Sequence, residues 1–207
     1  DDYPFGRYKF EIPTGQNVKK ALTVADVGKI YNFKLEKGSS EHRARDLWVF
    51  SYLCNGMNIK DIALLKYQDI DRDSITFSRS KTIRLKRNNQ KKVVVPLTPE
   101  IRSIIKTWGN KPVKPDSFIF PILHSGVTPL EERKLIQQAT KTTNKYIKRI
   151  AKDAKIKMDV TTYTARHSFA SVMKRSGAST EFISESLGHS NLATTENYLA
   201  SFEMETK

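Results

Sequence analysis

The chain turns on Tyr163-Thr164-Ala165-Arg166-His167-Ser168-Phe169-Ala170, followed by Leu187-Gly188-His189-Ser190 and then Thr194-Thr195-Glu196-Asn197-Tyr198. Gly177, Ser179, Gly188 and Asn191 punctuate this stretch. They predict three short helices: one from near Tyr163 to Gly177, a second capped by Ser179 and stopped at Gly188, and a third capped by Asn191. Tight turns between short helices bring distant residues into one small volume, so Arg166, His189 and Tyr198 can meet. A guanidinium fork matches two phosphate oxygens, an imidazole donates to another, and a phenol can attack phosphorus as a covalent nucleophile.

Upstream, Thr128-Pro129 opens the longest predicted helix, roughly Leu130 to Ala154. Ile136, Ala139, Thr143, Tyr146, Ile147, Ile150 and Ala154 share one face. Lys141, Lys145, Lys148 and Lys152 form a stripe almost opposite, a face fit either for solvent or for a phosphate backbone. Before it, Thr98-Pro99 starts a helix through Trp108, and Phe118-Ile119-Phe120-Pro121 is a short buried segment. Ser74 to Lys81 alternates, with Ile75, Phe77, Arg79 and Lys81 on one face. Val93-Val94-Val95 gives a second strand, and Asn88-Asn89 a reversal between them. The resulting hairpin is strongly basic, with Arg84 and Lys86 near its turn.

Nearer the start, Thr23 and Asp26 cap a helix with apolar positions Val24, Val27, Ile30, Tyr31 and Leu35. Glu41 to Asn55 is the next. Asn58 then reads as an N-cap and Asp61 as a first-turn carboxylate. Residues 1–22 mix Pro and Gly with aromatics and read as an irregular lead-in or linker. With no initiator Met, the chain reads as part of a longer protein.

Thirty-six Lys and Arg against 22 Asp and Glu give a formal charge of +14. A chain this basic suits a polyanionic partner, because neutralising phosphates releases their counterions. On charge alone, a membrane surface or ribosomal RNA would serve as well as DNA. Cys54 is the only cysteine, which excludes a disulfide within the chain and a Cys-based metal cluster. His167 and His189 lack metal-ligand spacing, so no metal is expected. No signal-peptide pattern or apolar run of transmembrane length occurs, so no membrane partner is expected and a reducing, cytoplasmic setting is.

The Arg166-His167 pair, the Leu-Gly-His triplet with His189 23 residues after Arg166, and Tyr198 9 residues beyond that resemble the tyrosine recombinases, or phage-type integrases. Gly56-Met57-Asn58-Ile59-Lys60-Asp61 resembles the family's first box, and Lys81-Thr82 its hairpin lysine. The resemblance runs from about Thr23 to the end. It implies a mainly α fold with a small antiparallel β-sheet (α+β), the DNA breaking-rejoining catalytic fold. Residues 23–207 would be the catalytic domain, with the N-terminal DNA-clamp domain absent from this chain. It also implies cleavage and rejoining of double-stranded DNA without metal, ATP or other cofactor. Tyr198 would attack to leave a 3′-phosphotyrosine, Arg166 and His189 would stabilise the phosphate, Lys81 would protonate the leaving oxygen, and Asp61 would orient its neighbours. The implied assembly is a synaptic tetramer of protomers on DNA, associated with the bacterial nucleoid.

Two positions depart from the pattern. Asn58 stands where the family has a phosphate-clamping Arg, and Tyr163 where it usually has His. Tyr163 can still donate a hydrogen bond. Arg79, two residues before Lys81, is the expected substitute for the lost cation. A type IB topoisomerase, or a DNA-binding protein that kept the fold and lost the reaction, stays open as an alternative.

Overall fold

A computed structural model describes residues 21–83, 92–189 and 191–203. Its organising element is α2 (Ser40–Leu53), capped where the Ser39 hydroxyl accepts the His42 N–H. This helix is apolar on more than one side, with Ala44, Leu47, Trp48, Val49 and Phe50 all buried. It packs against α1 (Val24–Tyr31), α5 (Pro99–Trp108), α6 (Pro129–Asp153) and α7 (Thr162–Arg175). Each large side chain it buries contributes about 1.5–3 kcal/mol. The buried Asp46 carboxylate on α2 is satisfied by Trp108 Nε1 at 2.7 Å, Arg45 Nε at 2.9 Å and His42 Nε2 at 3.1 Å, as a buried charge must be.

The remaining elements are α3 (Ile59–Leu64), β1 (Ser74–Ser78), α4 (Ser80–Ile83), β2 (Lys92–Pro96), α8 (Thr180–Ser186) and α9 (Leu192–Glu203). The strands β1 and β2 pair antiparallel, from Ser74 opposite Pro96 to Ser78 opposite Lys92. Ile75, Val93 and Val95 face the core while Val94 stays exposed, the alternation of a sheet covered on one side. The architecture is therefore mainly α with a small antiparallel sheet, as expected. The helix α6 has the capping box its sequence announces: Thr128 Oγ1 accepts from Glu131 N, and Glu131 Oε2 accepts from Thr128 N.

Two expectations need correcting. The first helix stops at Tyr31, where Asn32 turns both its backbone and its side chain onto Gly28 O, so Leu35 lies beyond it. The strand expected to run from Ser74 to Lys81 ends at Ser78. Its terminator is Asp61, whose Oδ1 accepts the Ser80 N–H at 2.9 Å and starts the single turn α4. Arg79 and Lys81 therefore do not share a strand face: Arg79 is buried and Lys81 exposed. Arg84 and Lys86 lie outside the described residues.

Three hydrogen bonds fix the start of α7, the helix that carries Arg166. Trp48 Nε1 donates to Thr161 O at 2.9 Å, Asn144 Oδ1 on α6 accepts from Thr162 N at 2.8 Å, and Thr164 Oγ1 accepts from Thr161 N at 2.9 Å. Beyond it, α7, α8 and α9 enclose a second small core of Ala170, Ile183, Leu187, Tyr198 and Leu199. Cys54 caps α2 in the main core, and burial pushes its thiol far above the ordinary value, which fits a packing role.

Candidate active site

Arg166 is the centre of the site. It is 4% exposed, and two backbone carbonyls aim its fork: Nη1 donates to Gly56 O at 3.1 Å and Nη2 to Leu187 O at 2.6 Å. Gly56 admits this approach. Its φ is +68°, and a Cβ there would sit 2.6 Å from Arg166 Cα, closer than any side chain tolerates. Burial, more than the neighbouring Arg79 charge, lowers the guanidinium to about 10, so it remains a cation at neutral pH.

His189 follows the αL glycine that ends α8. Its Nε2 lies 3.3 Å from Arg166 Nη2, and its Nδ1 lies 2.8 Å from Thr195 Oγ1. Arginine only donates, so in this arrangement Nε2 accepts and Nδ1–H points at Thr195. A hydroxyl can donate or accept. Thr195 can therefore support the other tautomer too, which frees an Nε2–H for an incoming oxygen. Thr195 is fully buried and carried no signal in the sequence, because its partner is set by how α9 leaves the turn after Gly188.

Tyr198 projects from α9 into the same volume, 8% exposed. Burial pushes its phenol above the ordinary value, against the pull of the Arg166 and Arg79 charges. Its ring meets the His189 ring edge-on at 5.8 Å. Its Oη lies 2.5 Å from His167 Nδ1, and the two rings lie near parallel at 5.3 Å. His167, like Thr195, was not expected in the site. Its place follows from α7 presenting one face to Gly56 and the next to α9.

Arg79 is drawn into the site as well. It is 8% exposed, and Nη1 is 3.4 Å from Gly188 O. Gly188, at φ +63°, leaves room for the arginine stem, since a Cβ there would come within 2.6 Å of Arg79 Cδ. The Arg79 charge acts on both Arg166 and Tyr198. Asp61 is 5% exposed and holds Ser80 N, the residue after Arg79. Asn58 sits half-buried at the N-cap of α3, one turn before Asp61, without a side-chain capping bond.

Of the other expected residues, Tyr163 is 56% exposed at the start of α7, its ring 4.9 Å from that of His167. Lys81 occupies the exposed side of α4, near the site in sequence but on the outside of its turn. Lys141, Lys145, Lys148 and Lys152 are exposed along α6. Two have neighbours there: Lys148 pairs with Asp159 at 3.0 Å, and Lys145 lies over the Tyr146 ring at 5.3 Å. Asp159 precedes the start of α7 by three residues, so the stripe runs toward the end of the helix that carries Tyr163.

The model of the phage integrase family matches residues 20–205. Among curated proteins, the tyrosine recombinase XerD of Halalkalibacterium halodurans is 26% identical over 193 residues, covering 91% of this chain and 60% of that protein. The tyrosine recombinase XerA of Thermococcus onnurineus is 29% identical over 184 residues, covering 88% and 58%. The chain thus spans about 60% of the length of these relatives. Among solved structures, the XerH site-specific recombinase bound to a palindromic difH substrate, in a post-cleavage complex, aligns with a TM-score of 0.62 at 16% identity, covering 91% of this chain and 52% of that one. A lambda integrase dimer bound to a core site aligns at 0.58 with 17% identity, covering 90% and 61%. At such identities the structural likeness speaks for the fold.

Proposed function

Because this chain belongs to the phage integrase family, we propose that it is the catalytic part of a site-specific DNA recombinase that cleaves and rejoins strands through a 3′-phosphotyrosine. The observation that carries this reading is the convergence of Tyr198, Arg166, His189 and Arg79 in one largely buried cluster, from α9, α7, the turn after α8 and the residue that follows β1. Tyr198 Oη attacks the scissile phosphate and expels the 5′-oxygen. Arg166, Arg79 and His189 hold the non-bridging oxygens as charge grows on them, an electrostatic effect strongest in a site closed to water. Arg79 takes the place of the cation missing at Asn58. Asp61 positions Arg79 and Lys81 through Ser80 rather than touching the phosphate.

Lys81 serves as the acid for the leaving oxygen from the outer side of α4, where DNA lying over the site meets it. Tyr163 donates from the exposed start of α7. The α6 lysine stripe follows the backbone of the same duplex. The working unit is residues 23–207, and the assembly that exchanges strands is a tetramer on two DNA sites. Among the described residues, no helix is long and apolar enough to cross a membrane, and the proposed setting is the bacterial nucleoid.

The test uses a nicked suicide duplex whose sequence is first selected for binding from a randomised pool. The unsubstituted protein forms a denaturation-resistant adduct on it. Tyr198→Phe binds with nearly unchanged affinity and forms none. Binding without any adduct from the unsubstituted protein would instead assign it to DNA binding alone.

A further inference from the structure

The nucleophile presents a problem that the phosphate clamp does not address. A phenol buried among Ala170, Ile183, Leu187 and Leu199 keeps its proton at neutral pH, and an O–H attacks phosphorus poorly. Little water reaches Oη to take that proton, since Tyr198 is 8% exposed. A side chain has to accept it.

Two imidazoles lie against the phenol, and their geometry separates them. His189 meets the ring edge-on, with Nε2 toward Arg166 and Nδ1 toward Thr195. His167 lies near parallel to the phenol, with Nδ1 2.5 Å from Oη, inside the reach that proton transfer needs. Tyr163, one turn back on α7, covers the His167 ring edge-to-face at 4.9 Å. That contact fixes the imidazole between two aromatic rings.

We propose that His167 is the base of the reaction, taking the Tyr198 proton at Nδ1 as Oη attacks phosphorus. The inference rests on the strand-cleavage reading above and adds a catalytic residue to it. In cleavage the Oη–H bond breaks and the proton passes to Nδ1. The Oη–P bond forms and the P–O5′ bond breaks, and the 5′-oxygen takes a proton from the Lys81 ammonium on the opposite side of phosphorus. In rejoining, the 5′-hydroxyl gives its proton back to Lys81 as it attacks phosphorus, the P–Oη bond breaks, and the departing Tyr198 Oη recovers its proton from the His167 imidazolium. Protons and bonds balance over the cycle, with no other reactant.

Beside the hydrogen bond its hydroxyl donates, Tyr163 holds His167 in place through its ring. Among the described residues, Tyr163 on its own helix and Tyr198 from α9 lie against the imidazole, and the Arg166 and Arg79 charges act on the phenol from beyond it, beside His189.

The decisive variant is His167→Asn, whose amide oxygen can still accept from the phenol but cannot bind a proton at neutral pH. On the selected suicide duplex its adduct rate falls at least about 100-fold while affinity for the duplex holds. A duplex with a sulfur in the bridging 5′ position, whose leaving group needs no acid, fails to restore it. Restoration by that sulfur would make His167 the acid and overturn the proposal, as would a His167→Asn rate within a few-fold of the unsubstituted protein. The unsubstituted protein gives a readout independent of any variant's folding. Its adduct rate falls with acid, by up to about tenfold per pH unit for a single proton, as protonation removes the acceptor at Nδ1, and a rate that does not fall with acid overturns the proposal. No adduct at all from the unsubstituted protein overturns both this and the strand-cleavage reading. Normal adduct with an unimpaired His167→Asn overturns this one alone.

Discussion

Replacing Arg79 by Ala removes a buried guanidinium whose charge acts on Tyr198 without touching the proposed nucleophile itself. Deleting one preorganised donor to a developing oxyanion slows chemistry about 10²- to 10³-fold, or about 2.7–4 kcal/mol. Stability moves far less, because two effects oppose each other. The Arg79 charge repels Arg166, since it helps to lower that group's pKa, so its removal relieves the fold. The arginine stem also packs against Gly188 beside Val93, and losing that contact costs a similar amount, about 1 kcal/mol. At 2–4 °C per kcal/mol for a domain of this size, the melting temperature stays within about 4 °C. Single-turnover adduct formation on the selected suicide duplex, run beside a thermal melt, reads both quantities. Arg79→Lys recovers little, because a point charge cannot span two oxygens. Asn58→Arg in the Arg79→Ala background restores activity, because Asn58 begins the helix whose Asp61 holds the turn next to position 79. Cleavage by Arg79→Ala within a few-fold of the unsubstituted protein would refute the reasoning.

Thr195→Val keeps the buried shape but leaves His189 Nδ1 without its hydroxyl. The adduct rate on the same duplex should fall about tenfold, the cost of one orphaned polar group of about 1–3 kcal/mol. Lys141→Ala, Lys145→Ala and Lys152→Ala should each weaken binding alike on all sequences and flatten the slope of log K against log salt by about 0.9. Lys148→Ala should change that slope least, because Asp159 already holds its ammonium at 3.0 Å; equal slopes for all four variants would remove the distinction. Gly56→Ala forces a side chain into αL backbone against Arg166 Cα. It should cost at least about 2 kcal/mol, or about 4–8 °C in a melt.

Local chemistry made much of the fold legible. Thr23, Thr98, Thr128 and Ser179 each accept an N–H from the first turn they announce. The helices of the 163–198 stretch begin and end within a residue or two of the glycines and caps that predict them. Legibility stops where a distant group decides the outcome. An alternating pattern cannot reveal that Asp61, 19 residues upstream, captures the Ser80 N–H and ends the strand before Lys81. Arg166, His189 and Tyr198 were legible as a group because their order and spacing resemble the tyrosine recombinase pattern, and the structure brings the three together. His167 and Thr195 were not, since their contacts with Tyr198 and His189 arise from the packing of α9 on α7 and the turn after α8. Arg79 was legible as a spare cation near the site, but its burial depends on the left-handed turn at Gly188, 109 residues away.

In the proposed reaction Tyr198 becomes joined to DNA, through the 3′ side of the break. The most direct measurement is to trap the adduct on a suicide duplex labelled separately at each strand end, digest the protein, and map the nucleotide-bearing peptide by mass spectrometry. The account predicts label retained from the strand that ends in the 3′-phosphate, a free 5′-hydroxyl on the released strand, and the nucleotide on the peptide containing Asn197-Tyr198-Leu199. A nucleotide on Tyr163, on Tyr146 or on any other residue, or attachment through the 5′ end, would contradict it.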